Sequence, residues 1–139
     1  MRHIILIACC KRKAKEKLPA SKLYQGDLFC KSLAYAKGIH PASIYILSAK
    51  YGLVGLEDEI EPYDTTLNSM PVSKRREWSS GVLGQLSQIA DLQHDRFTIL
   101  AGKRYREELI PHLSYVDIPL EGLGIGKQLR WLKGKCSDE

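Results

Sequence analysis

The sequence predicts an α/β fold, a three-layer sandwich in which a mostly parallel sheet of four or slightly more strands carries helices on both faces. Short apolar runs without polar alternation recur along the chain, as in strands that are buried on both sides. Segments with helical apolar spacing separate these runs, as in βαβ units. The length of 139 residues fits one domain, residues 1–139.

The predicted strands are residues 2–8, 43–48, 96–100 and 115–118. The first, RHIILIA, is β-branched and apolar on both faces, which is typical of a central strand of a parallel sheet. The other three are similar in character and shorter. Their separation by helical segments indicates crossover connections rather than hairpins.

Four helices are predicted, over residues 22–37, 72–90, 103–113 and 125–133. Gly38 is expected to end the first, and Ser69 or Ser73 to cap the second, with Pro71 near its first turn. The stretch 49–71 has no helical pattern and is long enough to predict a functional loop. The apolar stripes expected to face the core are Leu28, Phe29, Leu33 and Ala36; Trp78, Val82, Leu86, Ile89 and Ala90; Tyr105, Leu109, Ile110 and Leu113; and Ile125, Leu129 and Leu132.

Composition excludes several classes of protein. The longest apolar run, Ile4 to Cys10, is seven residues, against the roughly 20 of a membrane-spanning helix, so no membrane association is expected. Basic residues follow that run in place of a cleavage site, so no secretory signal is expected and the predicted location is cytoplasmic. The oligomeric state is left open.

The cysteines and histidines do not form a recognisable metal motif. There are four cysteines and no C-x-x-C pair, and no two histidines stand at metal-ligand spacing. We therefore expect reduced thiols, no metal and no cofactor. A nucleophilic role for Cys9 or Cys10 stays open, because basic neighbours lower the pKa of a thiol.

The charge distribution favours an anionic partner. The formal net charge is +5 and the pI is about 9.0. In open α/β sheets, ligands bind beyond the carboxyl ends of the strands. The four segments that follow the predicted strands there, residues 9–13, 48–53, 101–105 and 121–127, each contain lysine. The candidate ligand-binding residues are Cys9, Lys11, Arg12, Lys13, Lys50, Tyr51, Gly52, Tyr63, Gly102, Lys103, Tyr105, Gly122, Gly124 and Gly126.

The glycine-rich turn before Lys127 is not a standard nucleotide loop. Glu121 stands where a Walker motif has its first glycine, and Gln128 stands where it has Ser or Thr. Nothing glycine-rich follows the first strand, so a Rossmann fingerprint is also missing. ATP hydrolysis and NAD-dependent hydride transfer are disfavoured. Two readings remain, a tight strand-to-helix turn and an anion contact through backbone N–H groups.

The candidate catalytic residues are Asp64, Glu61 and Ser48. In the segment Glu61-Pro62-Tyr63-Asp64, a stiff turn presents a carboxylate beside an aromatic ring, which suits chemistry on a base or a sugar. Alternatively, Asp64 caps the following turn while Tyr63 packs inward. Ser48 could form a Ser–Lys pair with Lys50, or Lys50 could bind an anion while Ser48 only donates a hydrogen bond.

A series of motifs runs in order along nearly the whole chain: residues 9–13, Leu23-Tyr24, Phe29, 47–53, 61–67, 101–105 and 122–126. Through these motifs the chain resembles the bacterial and phage domain-of-unknown-function family 6884, for which no activity is established. Its short YGL and EPY elements, at 51–53 and 61–63, are also distantly similar to elements of the YaaA peroxide-stress family, whose members are associated with DNA binding and protection from oxidative DNA damage. More widely, the chain is similar to the uracil-DNA glycosylase type of α/β fold, but the segment after the first strand has no counterpart of a glycosylase water-activating motif.

The leading hypothesis is a nucleic-acid or nucleotide-binding domain that cleaves or exchanges an N-glycosidic bond. In this hypothesis Tyr51 or Tyr63 stacks on a base, and Asp64, or else Glu61, activates water or stabilises an oxocarbenium-like transition state. The alternatives are a non-catalytic DNA- or RNA-binding protein and a small nucleotide or phosphosugar enzyme. The groups expected to hold phosphates are Lys11, Arg12, Lys13, Lys50, Lys103 and the backbone of 122–126.

Overall fold

The computed structural model describes residues 1–137. The strands are β1 (His3–Ala8), β2 (Leu18–Pro19), β3 (Ser43–Ser48), β4 (Gly52–Gly55), β5 (Glu59–Ile60), β6 (Arg96–Leu100) and β7 (Tyr115–Asp117). The α-helices are α1 (Ala20–Leu23), α2 (Asp27–Ile39), α3 (Val72–Ile89), α4 (Lys103–Arg106) and α5 (Ile125–Ser137). Short 3₁₀ turns occupy Leu67–Ser69 and Ile110–His112.

A five-stranded sheet of order β4-β3-β1-β6-β7 confirms the predicted fold class. The four predicted strands are parallel to one another, and β4 is antiparallel at the edge beside β3. The side chains of Ile4 to Ile7 in β1 are almost fully buried, because β1 lies between β3 and β6 with both faces covered. This burial explains the unbroken apolar run, and each such side chain contributes about 1.5–3 kcal/mol to stability.

The connections place helices on both faces. The chain moves from β1 to β3 through α2, and from β3 across to β6 through α3, which is the opposite direction along the sheet. Because crossovers between parallel strands are right-handed, opposite directions put α2 and α3 on opposite faces. α5 packs against α2, and α4 contacts α3, which completes the two helical layers.

The first predicted helix, 22–37, is wrong at both ends. A four-residue helix, α1, comes first, and the chain is extended at Tyr24 and Gly26 before α2 begins at Asp27. The helix runs through Gly38 to Ile39, and the left-handed cap is His40, with φ of 57°. Helices commonly end on a left-handed residue, and here the residue is not the glycine.

The predicted helix 103–113 is also wrong, because it breaks after Arg106 into turns and a 3₁₀ segment. Pro111 explains this break, since proline has no N–H to bond the carbonyl four residues earlier and its ring collides with that carbonyl. Two smaller corrections concern helix starts. Pro71 occupies the N-cap of α3 without any side-chain cap bond, and Ile125 at the start of α5 is 62% exposed.

The stretch 49–71 is partly ordered into strands. After Ser48 the chain turns at Gly52, where φ is +77°, and β4 runs back along β3. β5 then pairs with β2 in a two-residue ribbon, and the chain continues as an extended segment from 61 to 66. Among the helices of the described residues, none is long and apolar enough to cross a membrane.

Candidate functional site

A two-part cleft opens at the carboxyl ends of β1 and β6. Its inner chamber, about 220 Å³, lies among β1, α2, α4 and the start of α5; its outer chamber, about 460 Å³, lies between residues 9–13 and 64–68. Cys9, Cys10, Asn68 and Tyr105 line both chambers, so the two are neighbouring parts of one site. The outer chamber is lined by Cys9, Cys10, Lys11, Lys13, Asp64, Thr65, Thr66, Asn68 and Tyr105.

A shallow groove continues from the outer chamber across the surface. The groove and the outer chamber are both lined by Lys11, Lys13 and Asp64. Lys15 lines the groove alone. These side chains include three cations and one carboxylate. The resulting positive surface suits a phosphate or another anion, and in the part of the chain that the structure describes Asp64 is the one acidic group in its lining.

The wall that carries Asp64 is held by local capping and by a buried arginine. The Thr66 side chain accepts a hydrogen bond from the Asn68 N–H at 3.2 Å and starts the 3₁₀ turn. Below it, the buried guanidinium of Arg75 donates to the Met70 carbonyl at 3.2 Å and pairs with Glu107 at 3.4 Å. The end of the wall is therefore fixed by Arg75 of α3, which is itself held by Glu107 at the C-cap of α4.

Buried hydroxyl groups support the same wall from inside the core. The hydroxyls of Tyr24 and Tyr63 lie 2.5 Å apart, and the Ser48 hydroxyl donates to Tyr63 at 2.8 Å. Burial raises the pKa of Tyr24 to about 12 and shifts the pKa of Tyr63 still further upward. Both phenols therefore stay neutral near pH 7. The Lys13 ammonium lies over the Tyr63 ring at 4.5 Å from its centre, a cation–π contact.

The two adjacent thiols make different contacts. The Cys9 thiol donates to the Tyr105 hydroxyl at 3.5 Å, and the Cys10 sulfur accepts the N–H of Gly26 at 3.4 Å. Burial raises the pKa of Cys10, which is the opposite of the lowering expected from its basic neighbours. The Cys10 thiol is therefore protonated at neutral pH and is not an activated nucleophile. Cys9, Cys10 and Cys30 are free thiols, whereas Cys136 lies outside the residues whose side chains are described.

Several predicted site residues come together in the cleft. Asp64 and Lys11 line the outer chamber with Lys13, and Cys9 and Tyr105 line both chambers. Gly102 lies in the wall of the inner chamber. The burial of Tyr105, whose pKa is raised to about 12, keeps its hydroxyl neutral beside Cys9.

Three predicted site residues, Ser48, Tyr51 and Tyr63, lie in the core or at its edge. Ser48 is fully buried, and its hydroxyl is used by Tyr63 and by the N–H of Tyr51, so the Ser–Lys pair with Lys50 is not formed. The Lys50 ammonium instead lies 5.4 Å from the ring centre of Tyr51. Tyr63 is only 9% exposed, and its ring packs edge-on against Tyr24 and Tyr51. Tyr63 therefore packs inward, as in the alternative prediction, and its ring has no free face on which a base could stack.

The other predicted residues lie outside the two chambers. Glu61, Arg12 and Lys103 are exposed, and none of them lines either chamber. Gly52 is part of the turn into β4. The glycines at 122, 124 and 126 are exposed, with φ of +80° at Gly122, which favours the reading of this segment as a tight turn.

The sequence reasoning missed four polar residues that line the inner chamber: Ser32, Asn68, Arg106 and Gln128. Ser32 lies on the buried side of α2, where a serine between apolar residues carries no signal of function. Arg106 follows two other basic residues, Lys103 and Arg104, and such a cluster usually marks a solvated surface. Its guanidinium instead donates to the Ala101 carbonyl at 2.8 Å and faces Glu121 at 3.7 Å. A helical-face analysis of α2 and α4 could have identified both.

Comparison with known proteins gives one assignment. No curated protein and no solved structure matches the chain significantly, so the distant similarity to YaaA and to uracil-DNA glycosylases stays a prediction. A family model described as a family of unknown function (DUF6884) matches residues 4–134. That match covers the sheet, the cleft and nearly all of α5, and the chain therefore belongs to the DUF6884 family.

Proposed function

We propose that this protein is a cytoplasmic domain that binds a nucleotide, free or within nucleic acid, and hydrolyses an N-glycosidic bond in the cleft. The observation that carries the proposal is that Asp64 lines the same chamber as Lys11 and Lys13. A carboxylate for sugar chemistry and cations for a phosphate are thus brought to one space by segments more than 50 residues apart in the chain.

The lysines supply the binding part of the proposal. Lys11 is exposed and forms no ion pair with any described residue, so its ammonium is available to a phosphate. Lys13 donates to the Lys11 carbonyl at 3.2 Å, which orders the loop and holds both side chains at the chamber. Lysine binds phosphate as a point charge, which suits contact with a nucleotide backbone without base preference.

Asp64 supplies the chemical part. As a general base it takes a proton from water while the water oxygen attacks C1′ of the sugar. The C1′–N bond breaks with its electron pair leaving on the base, which is then protonated from solvent. A carboxylate near the ring also stabilises the positive charge that develops in the oxocarbenium-like transition state. The distant resemblance to glycosylase-like proteins points to the same reaction.

A second candidate, binding without catalysis, is favoured by the setting of Asp64. Its side chain is exposed, and it makes no hydrogen bond or ion pair with the rest of the described chain. Catalytic carboxylates are usually oriented by neighbours, so an unoriented Asp64 is also compatible with a surface that only recognises nucleic acid.

The Asp64→Asn variant tests the proposal, with Glu61→Gln as the matched control outside the chambers. The protein is incubated with DNA and RNA oligonucleotides and with mononucleotides, and released bases and alkali-labile sites are measured. We expect Asp64→Asn to lower turnover by at least about 10²-fold, the contribution of a general base, while oligonucleotide affinity is retained. Glu61→Gln should keep both.

Two results would decide against the hydrolase. Equal losses of binding and turnover in Asp64→Asn would contradict the division of roles between Asp64 and the lysines. Salt-dependent binding by the wild-type protein without any base release would favour the non-catalytic candidate.

A further inference from the structure

The inner chamber differs in character from the outer one. Apolar side chains of β1, α2, β6 and the segment before α5 form most of its wall: Ile7, Leu28, Phe29, Leu100 and Leu120. Among the described residues no lysine lines it, whereas two lysines line the outer chamber. An apolar lining with few polar groups is the usual surface for an uncharged ring rather than for a phosphate.

One polar group in this wall lacks a partner. Ser32 is 2% exposed, yet its hydroxyl makes no hydrogen bond to any described residue. A buried serine on a helix normally bonds a carbonyl one turn earlier, because an unpaired hydroxyl costs free energy. The Ser32 hydroxyl therefore remains free for a ligand in the chamber.

Arg106, the single cation among the described residues that line the inner chamber, is already engaged. The Arg106 guanidinium donates to the Ala101 carbonyl and faces the Glu121 carboxylate. The Gln128 amide donates to the Leu123 carbonyl at 2.8 Å, which leaves its oxygen as an acceptor. The other polar groups of the lining are hydroxyls, side-chain amides and thiols, which suit the polar edge of an uncharged heterocycle.

The volume limits the ligand to a small group. About 220 Å³ lies below the roughly 300–1,000 Å³ of pockets for drug-sized ligands. One planar ring system fits this space, and a whole nucleotide does not. The outer chamber, which adjoins it at Cys9 and Asn68, has the room and the charge for the remainder.

We propose that the inner chamber is a nucleobase pocket in which the Ser32 hydroxyl bonds the edge of the base. The choice of a base as the ligand class rests on the proposed function, while the pocket itself is defined by its walls. The cleft then orders its ligand, with the base between β1 and α2 and the phosphate at Lys11. Asp64, in the outer chamber, lies on the sugar side of this arrangement.

Two substitutions of Ser32 test the pocket by titration with the free bases uracil, cytosine, adenine and guanine. Ser32→Ala removes only the hydroxyl, and we expect the affinity for the preferred base to fall roughly two- to tenfold, as for loss of one hydrogen bond. Ser32→Met extends a flexible apolar side chain into the chamber and should abolish base binding. Ser80→Ala, on the exposed side of α3, is the matched control.

The outcomes separate this inference from the proposed function. If no free base binds the wild-type protein at millimolar concentration, or if Ser32→Met binds bases as well as the Ser80 control does, the pocket assignment is overturned. Thermal unfolding of each variant shows whether a variant that has lost base binding is still folded. If Ser32→Met does not fold, the base affinity of Ser32→Ala decides the test. Base binding that depends on Ser32, found together with no base release from oligonucleotides, would support the pocket and reject the hydrolase.

Discussion

Three hydroxyl groups meet in the core directly behind the wall of the outer chamber. Tyr63 lies at the centre, bonded to Tyr24 and to Ser48, and the N–H of Tyr51 completes the network at 3.0 Å from the Ser48 oxygen. Tyr24 lies in the segment between α1 and α2, Ser48 is the last residue of β3, and Tyr63 directly precedes Asp64. The network therefore fixes the position of the acidic wall relative to the sheet.

Tyr63→Phe is expected to destabilise the protein by about 1–3 kcal/mol. The change keeps the ring but leaves the buried hydroxyls of Tyr24 and Ser48 without their shared partner, and an unsatisfied buried group costs this much. Denaturant unfolding measures the effect. Tyr115→Phe, at a tyrosine that is 50% exposed, is the control and should stay within about 0.5 kcal/mol of the wild type. Equal stability of the two variants would show that the network contributes nothing.

The same tyrosines predict a loss of stability at alkaline pH. Burial raises the pKa of Tyr24 to about 12, above the ordinary value of about 10 that it has in the unfolded chain. As the pH rises, Tyr24 therefore loses its phenol proton in the unfolded chain before it does so in the folded protein. The contribution of the protonated Tyr24 to the free energy of unfolding is complete below about pH 10 and is lost as the pH rises toward 12.

Urea unfolding measured at increasing pH checks this prediction. In the double variant Tyr24→Phe/Tyr63→Phe two of the buried phenols are absent, so its free energy of unfolding should fall less steeply above about pH 10 than that of the wild type. Parallel curves for the two proteins would contradict the assignment.

The edge strand β4 depends on one side-chain amide. The Leu53 N–H donates to the Gln85 Oε1 at 2.8 Å, and the Gln85 amide donates back to the Leu53 carbonyl at 3.3 Å. The Gln85 side chain of α3 thus bonds the N–H and the carbonyl of Leu53 as a residue of a neighbouring strand would, and it covers the outer side of β4. Edges covered in this way are protected from pairing with other chains.

Gly52→Ala should disrupt this edge. At φ of +77° a Cβ is strained, and it would lie 2.5 Å from the Gln85 oxygen that bonds Leu53. We expect a loss of about 1–3 kcal/mol of stability from the backbone strain, measured by denaturant unfolding. Gly84→Ala, in open space on α3, is the control and should stabilise by up to about 1 kcal/mol. A neutral Gly52→Ala would mean that the turn adjusts freely.

The accuracy of the sequence predictions differs between strands and helices for physical reasons. The strand bounds 43–48 and 96–100 were right, because strands buried on both faces are continuous apolar runs. β4 was missed because Gly-Leu-Val-Gly has two glycines in four residues, which weakens any strand signal. The helix over 103–113 was overextended because apolar spacing continued across Pro111, where the backbone cannot stay helical.

The position of the site in the fold was predictable from topology, but the set of residues that line it was not. Parallel strands end at one edge, so segments 9–13 and 101–105 had to lie near each other there once β1 and β6 were neighbours. Lys50 lies outside both chambers because the chain turns after β3 and β4 runs back along it. The glycines at 122, 124 and 126 lie in an exposed turn, although Leu120 and Gln128 on either side of it line the inner chamber. Strand order is set by long-range packing, which a local sequence pattern does not encode.

This topology predicts which of the basic residues contribute to ligand binding. If the cleft binds nucleic acid, the cations that matter are those at the central strands, and the net charge of +5 spread over the surface contributes little. Lys11 lines the outer chamber, while Lys103, an equally exposed lysine at the same edge, does not. The two residues therefore form a matched pair.

Lys11→Ala should weaken oligonucleotide binding and lower its dependence on salt, whereas Lys103→Ala should leave both near the wild-type values. Each phosphate contact to a single strand releases counterions and contributes about 0.7 to the slope of log K against log salt concentration. We expect a loss of about that size in Lys11→Ala, measured by fluorescence anisotropy over a series of salt concentrations. Slopes lowered equally in the two variants would extend the contact surface beyond the cleft, because both lysines would then contact the nucleic acid. An unchanged slope in Lys11→Ala would contradict its contact with a phosphate. A lowered slope in Lys103→Ala alone would move it from residues 11–13 to the start of α4.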